Sequence, residues 1–369
     1  MTGSLHDVFQ RSDLLVTAGP GGVGKTSTAA ALGVAAAREG RRVVVLTVDP
    51  ARRLADALGL DDGDAADQPH RVELVGGVAP GGELWAVMLD AEATFDRLVR
   101  EQAGGDRQAE AVLGNPVYRA IAGSLSGAQE YMAIERLHQL YTSGEWDLVI
   151  VDTPPSRHAI DLLEAPDRLV KFLGHPVYRA LTAGQRTLAR ITDAAASVFL
   201  WAVRRLAGPQ LVQDVVEFFR SLTHIEGGLR RRAAEVSTLL RSDSTSFVVV
   251  TSPRSEAVGE ATHLIEALRS RGFPFGGVIA NLVHPVPESL DSLAPDELAA
   301  LEALDDGPLA DHVVWHRRLT ALAASERTQL DTVVAVSAGA PIVELPLLDV
   351  DIHDVEGLTL LADLLAGTA

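Results

Sequence analysis

Gly19-Pro20-Gly21-Gly22-Val23-Gly24-Lys25-Thr26 decides the fold of this chain. The octapeptide fits G-x-x-x-x-G-K-[ST], a phosphate-binding loop. In such a loop backbone N–H groups wrap a polyphosphate, the lysine reaches its β/γ oxygens and the threonine hydroxyl ligates Mg²⁺. Composition sharpens the reading. The chain has two lysines in 369 residues, Lys25 and Lys171, and every other Lys/Arg position is arginine. A planar guanidinium suits a tight phosphate pocket badly, whereas a compact ammonium suits it well. A glycine-rich strand-to-helix turn with a chance lysine would show the same letters, so the flanks matter. Leu14-Leu15-Val16-Thr17-Ala18 is a short apolar run suited to a buried parallel strand. Thr26 to Glu39 is rich in alanine and leucine without an internal proline, and Gly40 follows as a C-cap candidate. Strand, loop, helix is the order that aims a helix N-terminus at an anion. These residues imply a protein that binds a nucleoside triphosphate.

Composition excludes several alternatives. Apolar residues make up 47% of the chain, enough for a sizeable core in one large or two ordinary domains. Net charge is −18, so no global attraction draws the chain to nucleic acid or anionic lipid. There is no cysteine, which rules out disulfides, thiolate-bound zinc and thiolate-bound arsenite. Met1 to Asp7 lacks the layout of a signal peptide, and no uncharged apolar stretch approaches the roughly 20 residues that span a bilayer. The nearest, Ala194 to Val203, runs into Arg204 and Arg205 and reads as a buried helix. The expectation is a soluble cytoplasmic protein.

Further strands are predicted at Arg42 to Val48, Leu84 to Leu89, Trp146 to Asp152, Phe247 to Thr251, Gly277 to Asn281 and Ile342 to Leu345. Ala91 to Tyr141 reads as helical, interrupted at Gly104-Gly105, Gly114-Asn115-Pro116 and Gly123. His158 to Leu240 is a second long helical stretch. Glu256 to Arg271 and Val355 to Leu365 read as helices, and Pro285 to Pro308 as loop with some helix. Strands alternating with helices predict an α/β fold: a P-loop NTPase with a mostly parallel, doubly wound sheet. Residues 1–369 then form a single such domain, in which roughly 91–141 and 158–240 are helical insertions building a helical subdomain. No internal repeat or second phosphate loop is present.

Hydrolysis needs carboxylates at strand ends. Asp152 closes the run Leu148-Val149-Ile150-Val151 and fits the aspartate that holds Mg²⁺, through water, in P-loop enzymes. An aspartate there can also cap the following helix. Asp49 closes the second strand on the edge where open α/β sheets bind ligands; it can orient the attacking water, or simply start the Asp49-Pro50 turn. Asp152-Thr153-Pro154-Pro155-Ser156-Arg157-His158 is stiffened by its prolines and resembles a switch segment that senses a γ-phosphate.

The loop, Thr47-Val48-Asp49-Pro50-Ala51 and Val151-Asp152-Thr153-Pro154-Pro155 together resemble the ArsA and tail-anchored-protein-targeting (Get-type) ATPases, which belong to the deviant-Walker-A P-loop NTPases. The likeness covers essentially the whole chain and is strongest to paired ArsA-like ATPases of actinobacteria. It implies ATP/ADP and Mg²⁺ as ligands. Gly19, Gly21, Gly22, Val23, Gly24, Lys25, Thr26 and Ser27 would hold the nucleotide, and Thr26 and Asp152 the metal. Lys25 and Asp49 would be catalytic, with Asp49 and Pro50 in the first switch and Asp152, Thr153, Pro154 and Arg157 in the second. Asn281 matches an asparagine that reads adenine, Pro346 a late loop that packs on the base, and Ser126-Gly127-Ala128-Gln129-Glu130 a segment before the aspartate-bearing strand. The resemblance also implies a nucleotide-driven dimer acting on a protein client or membrane partner, cytoplasmic or peripheral at the inner face of the membrane. Groove material for an apolar client is available at Phe172 to Leu173, Val198 to Leu206 and Val212 to Leu222, which can equally pack within the helical layer.

The chain departs from that family at Pro20, where its deviant loop carries a second lysine that reaches the partner's phosphates. An arginine could replace that charge, with Arg157, Arg52 or Arg53 as candidates. Alternatively the chain pairs with a lysine-bearing paralogue, which the family likeness favours over a homodimer. Two other functions stay open: a weakly catalytic or non-catalytic nucleotide-binding subunit that regulates such a paralogue, and a division or partition ATPase. The acidic segment Asp354-Val355-Glu356-Gly357-Leu358-Thr359 speaks against the latter, which needs a basic amphipathic helix or face.

Overall fold

The computed structural model describes residues 5–48, 53–59, 67–102, 105–115, 128–175, 223, 226–288, 301 and 307–367. A short helix α1 (Leu5–Arg11) leads into β1 (Leu14–Ala18), the phosphate loop and α2 (Lys25–Arg38). β2 (Arg42–Thr47), α3 (Arg53–Leu58), β3 (His70–Val72) and β4 (Glu83–Met88) follow. Three helices come next: α4 (Ala91–Gln102), α5 (Asp106–Leu113) and α6 (Ala128–Thr142). β5 (Leu148–Asp152) is followed by α7 (Ser156–Gly174) and α8 (Glu226–Leu239). The chain closes with β6 (Thr245–Thr251), α9 (Ser255–Ser270), β7 (Phe275–Val283), α10 (Pro308–Ser337), β8 (Ile342–Pro346) and α11 (Val355–Ala366).

The strands form one sheet in the order β3-β4-β2-β5-β1-β6-β7-β8. All pairs are parallel except β3 with β4. β1, β5 and β6 at its centre are buried along their whole length, as expected of parallel strands covered on both faces. Alternate residues feed two cores. Leu14, Val16, Val149 and Val151 face a layer that includes α6, α7 and α9. Leu15, Val43, Val45 and Ile150 face α2, α3 and α11. α11 is capped by Asp354, whose side chain accepts from Gly357 N at 2.8 Å, and its Leu358, Leu361 and Leu365 are buried in the second core. The acidic C-terminal helix is therefore a structural cover of the sheet.

A third apolar cluster lies away from the sheet, where Leu98 and Val99 of α4, Val112 of α5, Tyr131 and Met132 of α6, Leu173 of α7 and Leu229 of α8 meet. α6 serves both layers, since Ala133, Ile134 and Leu137 point into the sheet-facing core. No helix among the described residues is long and apolar enough to cross a membrane.

The structure adds α1, α3, β3 and α10 to the elements expected from the sequence and moves one residue. β3 is a three-residue edge strand with only Val72 buried, too short to show a pattern. α10 runs for 30 residues, starting where the loop expected at Pro285 to Pro308 ends. Pro346 is the last residue of β8, paired with Val283, and not part of a loop. Residues 198–206 and 212–222, proposed as groove material, lie outside the described residues; Phe172 is exposed and Leu173 is buried in the third cluster.

An ion cluster ties the edge of the sheet to the helices. Asp67 is fully buried, and its carboxylate faces Arg97 Nη2 at 2.8 Å and Arg136 Nε at 3.2 Å. Arg136 Nη2 also donates to the Asp67 carbonyl at 2.8 Å. Burial pushes the Asp67 carboxyl up, and Arg136 and then Arg97 pull it back down. Removing one member of such a cluster strands the others in a dry site at a cost of about 3–5 kcal/mol. Asp67→Ala should lower the urea-unfolding free energy by about 3 kcal/mol or more. A loss under about 0.5 kcal/mol, the size of an ordinary surface substitution, would show that the cluster contributes nothing.

Candidate nucleotide site

Three strand ends converge on Asp152. β5 lies between β2 and β1, and at the carboxyl edge of the sheet Thr17 and Thr47 are both in register with Asp152. Asp152 is fully buried. Its Oδ2 accepts from the Thr26 hydroxyl at 2.7 Å and from the Thr47 hydroxyl at 3.0 Å. Its carbonyl accepts from Val48 N at 3.1 Å. Hydrogen bonds to a charged acceptor contribute about 1.5–3 kcal/mol each, so this carboxylate joins the helix start after β1 to the exit of β2.

The loop's own shape follows from its glycines. Gly24 has φ +85 and caps α2; a Cβ there would lie 2.4 Å from the Asn281 amide nitrogen. Gly19 packs so closely on β6 that a Cβ would sit 2.0 Å from the Val250 carbonyl oxygen. Lys25 is nearly buried and donates to the Pro20 carbonyl at 2.6 Å, so its ammonium lies across the mouth of the loop. The segment after β5 borders the same mouth: Pro155 Cγ is 3.9 Å from the Cβ position of Gly21.

The sequence-predicted residues fall into three groups. Gly19, Gly21, Gly22, Val23, Gly24, Lys25, Thr26 and Ser27 form one loop and helix start, and Asp152 and Thr153 stand beside them. Thr153 is fixed to β1, its hydroxyl donating to the Thr17 carbonyl at 2.8 Å. Asn281 also reaches this place, but as a brace: it lies inside β7, and its Nδ2 donates to the Val23 carbonyl at 2.9 Å. Its amide nitrogen is thus engaged by the loop itself. Asp49, Pro50 and Arg52 lie outside the described residues, as do the side chains of Arg53, Arg157 and His158. The residue before Asp49 is nevertheless placed, since Val48 is held by Asp152 on one side and by Gln129 Nε2, 3.3 Å from its carbonyl, on the other. Gln129 opens α6, so the segment around it connects the helices to the residue before Asp49.

One residue of this site escaped the sequence reading. Arg254, the N-cap of α9, donates from Nη2 to the Gly22 carbonyl at 3.2 Å. Nothing in Ser252-Pro253-Arg254-Ser255 announces that, since the two partners are 232 positions apart.

A divalent cation fits this donor set. Among the described residues no three His, Asp or Glu side chains converge as a metal cage. A single carboxylate oxygen and a threonine hydroxyl lie together instead, the pattern expected for Mg²⁺, which keeps several waters and takes its other ligands from substrate phosphates.

The comparisons with known proteins agree with the geometry. Residues 12–295 match the ArsA family, described as anion-transporting ATPase. The chain belongs to this family. It is 27% identical to ATPase GET3B of Arabidopsis thaliana over 94% of this chain and 77% of that one. It is 26% identical to ATPase GET3 of Chaetomium globosum, over 78% of this chain and 79% of that protein. With ATPase ARSA1 of Chlamydomonas reinhardtii it shares 27% identity over 79% of its own length, but only 38% of the longer relative. Family and relatives alike are ATPases, and so is this chain.

Substituting Thr26→Ala and Asp152→Asn separately tests the metal pair. In titration calorimetry each should remove most of the gain in ATP affinity that Mg²⁺ gives the native chain. A variant that responds to Mg²⁺ as the native chain does would take that residue out of the metal's surroundings.

Proposed function

We propose that the chain binds ATP with Mg²⁺ at residues 19–27 and hydrolyses it to ADP and phosphate, using the cycle to open and close a dimer that acts on a protein client or a membrane partner. The observation that carries the reading is the hydrogen bond between the Thr26 hydroxyl and Asp152, which joins the loop to the end of β5 across 126 positions. Backbone N–H groups of the loop and the start of α2 would hold the polyphosphate, and Lys25 would exchange its Pro20 carbonyl for phosphate oxygens. Mg²⁺ held beside Thr26 and Asp152 would supply neutralisation of phosphate charge. Asp49, one residue beyond the fixed Val48, would orient the attacking water.

The two switches give the site its reach. Residues 153–155 lead directly into α7, whose Ser156 hydroxyl donates to Glu260 of α9 at 2.6 Å. Gln129 gives the first switch a similar tie to α6. α6 and α7 both contribute to the apolar cluster away from the sheet. That supports reading roughly 91–141 and 158–240 as a helical subdomain moved by the nucleotide. Cytoplasmic residence, with peripheral contact at the inner face of the membrane, would suit such a protein. The partner in the dimer is either a second copy or a lysine-bearing paralogue, according to whether this chain supplies for itself the charge lost at Pro20.

Two measurements test the reading. Lys25→Met should abolish the heat of binding of both ATP and ADP; unchanged binding would remove the loop from the site. Asp49→Asn should bind ATP as the native chain does while its single-turnover hydrolysis falls by a factor of about 100 or more, the scale of a lost water-orienting or general-base group. Hydrolysis at the native rate in that variant would leave the first switch without a catalytic part.

A further inference from the structure

Arg254 sits where a second cation is wanted. The polyphosphate of a magnesium nucleotide keeps net negative charge after a single lysine is counted, and charge supplied by an arginine is worth orders of magnitude in phosphoryl transfer. Position 20, from which the family's extra lysine acts, holds a proline whose carbonyl is taken by Lys25. Among the arginines whose side chains are described, Arg254 is the one hydrogen-bonded to the loop.

Its placement suits a group that changes partners. The backbone of Arg254 is fixed, preceded by Pro253 and followed by α9, with its carbonyl accepting from Val258 N at 2.9 Å. The head group is exposed and loosely held. Nη2 lies 3.2 Å from the Gly22 carbonyl and Nε 3.3 Å from the Ser252 hydroxyl, both at the long end for N–H···O bonds. A guanidinium carries five N–H donors, so these two contacts leave others for an incoming anion. The end of the nucleotide it would meet follows from Lys25. That ammonium rests on Pro20, so residues 20–22 border the place where a P-loop lysine meets β- and γ-phosphate oxygens. Gly21 of the same crown also abuts Pro155 of the second switch.

We propose that Arg254 is the second cation of the phosphate site, supplied within the chain: on ATP binding its guanidinium leaves the Gly22 carbonyl for the terminal phosphate and stabilises the charge that develops there during hydrolysis. The inference rests on the nucleotide site proposed above. It makes the chain independent of a lysine-bearing paralogue for its own charge balance.

The test compares ATP with ADP in the native chain, Arg254→Ala and Arg254→Lys, by calorimetry and by single-turnover hydrolysis. Arg254→Ala should lose about tenfold or more in ATP affinity, the equivalent of one charge-assisted hydrogen bond, while ADP affinity changes by less than about threefold. Its single-turnover rate should fall by a factor of about 100 or more, and Arg254→Lys should recover part of both losses. Native ATP affinity and rate in Arg254→Ala would overturn the proposal. Equal losses for ATP and ADP, with a lowered melting temperature, would also overturn it and leave Arg254 as a brace of the loop. Should the native chain bind neither nucleotide, the nucleotide site itself would fall, and this inference with it.

Discussion

A carboxylate sealed from solvent holds the molecule's working edge together. Burying Asp152 in an apolar sheet would cost several kcal/mol if it stood alone. Its Oδ2 accepts from two threonine hydroxyls that belong to different strand–helix units. Those threonines come from positions 26 and 47, so the bond network forms only once β1, β2 and β5 lie side by side. The parallel sheet therefore builds the site as a consequence of its own strand order. In turn the site's carboxylate fastens the strand ends that the sheet leaves without further ladder partners. One of its two hydroxyl partners is also the proposed ligand of the metal, so nucleotide binding would rearrange the bond that joins the loop to β5.

The same few contacts explain how a change at the phosphates can travel. The segment proposed as the second switch has almost no slack: Thr153 is fixed to Thr17, prolines occupy 154 and 155, and α7 starts at 156. A displacement of this segment would be taken up by rotation of α7 against its neighbours, and the Ser156–Glu260 hydrogen bond would pass it to α9. On the other side, Gln129 lets α6 follow Val48. The Asp67 cluster, contacted by Arg97 of α4 and Arg136 of α6, links those two helices through one buried carboxylate. Packed interfaces of this kind switch between discrete arrangements and do not bend continuously, which suits a cycle driven by a single ligand.

How much of this was legible in the sequence depended on pattern length. The central strands are mostly apolar runs with polar residues at or near their ends, and burial on both faces of a parallel sheet writes itself that way. The loop was legible because backbone geometry demands glycine at 24 and phosphate chemistry demands lysine at 25. β3 contributes a single buried residue, and three positions cannot display a period of two. α10 hid for a different reason: its buried positions Ala323, Glu326, Leu330, Val333 and Ser337 include an acid and a serine, so no apolar stripe marks its face. Asn281 was found by resemblance, yet the structure gives its amide nitrogen to the loop, a contact between positions 258 apart that no local pattern encodes.

Arg254 sits at the limit of such reading, and the composition of the chain bears on it. Nearly every cationic position in this protein is arginine, and lysine survives at the one place in the loop where a compact ammonium is needed. A lysine at position 20 would be the second such demand, and the chain does not meet it. Pro20 is buried, and its carbonyl already receives the Lys25 ammonium. A side chain added there would have to leave a packed position to reach any phosphate. A guanidinium mounted on the neighbouring β6–α9 turn approaches the same crown from outside, without disturbing the loop's backbone, and brings a fork suited to two phosphate oxygens at once. Charge lost from inside the loop is thus most simply replaced from its rim, and Arg254 is the described arginine that the fold brings to that rim.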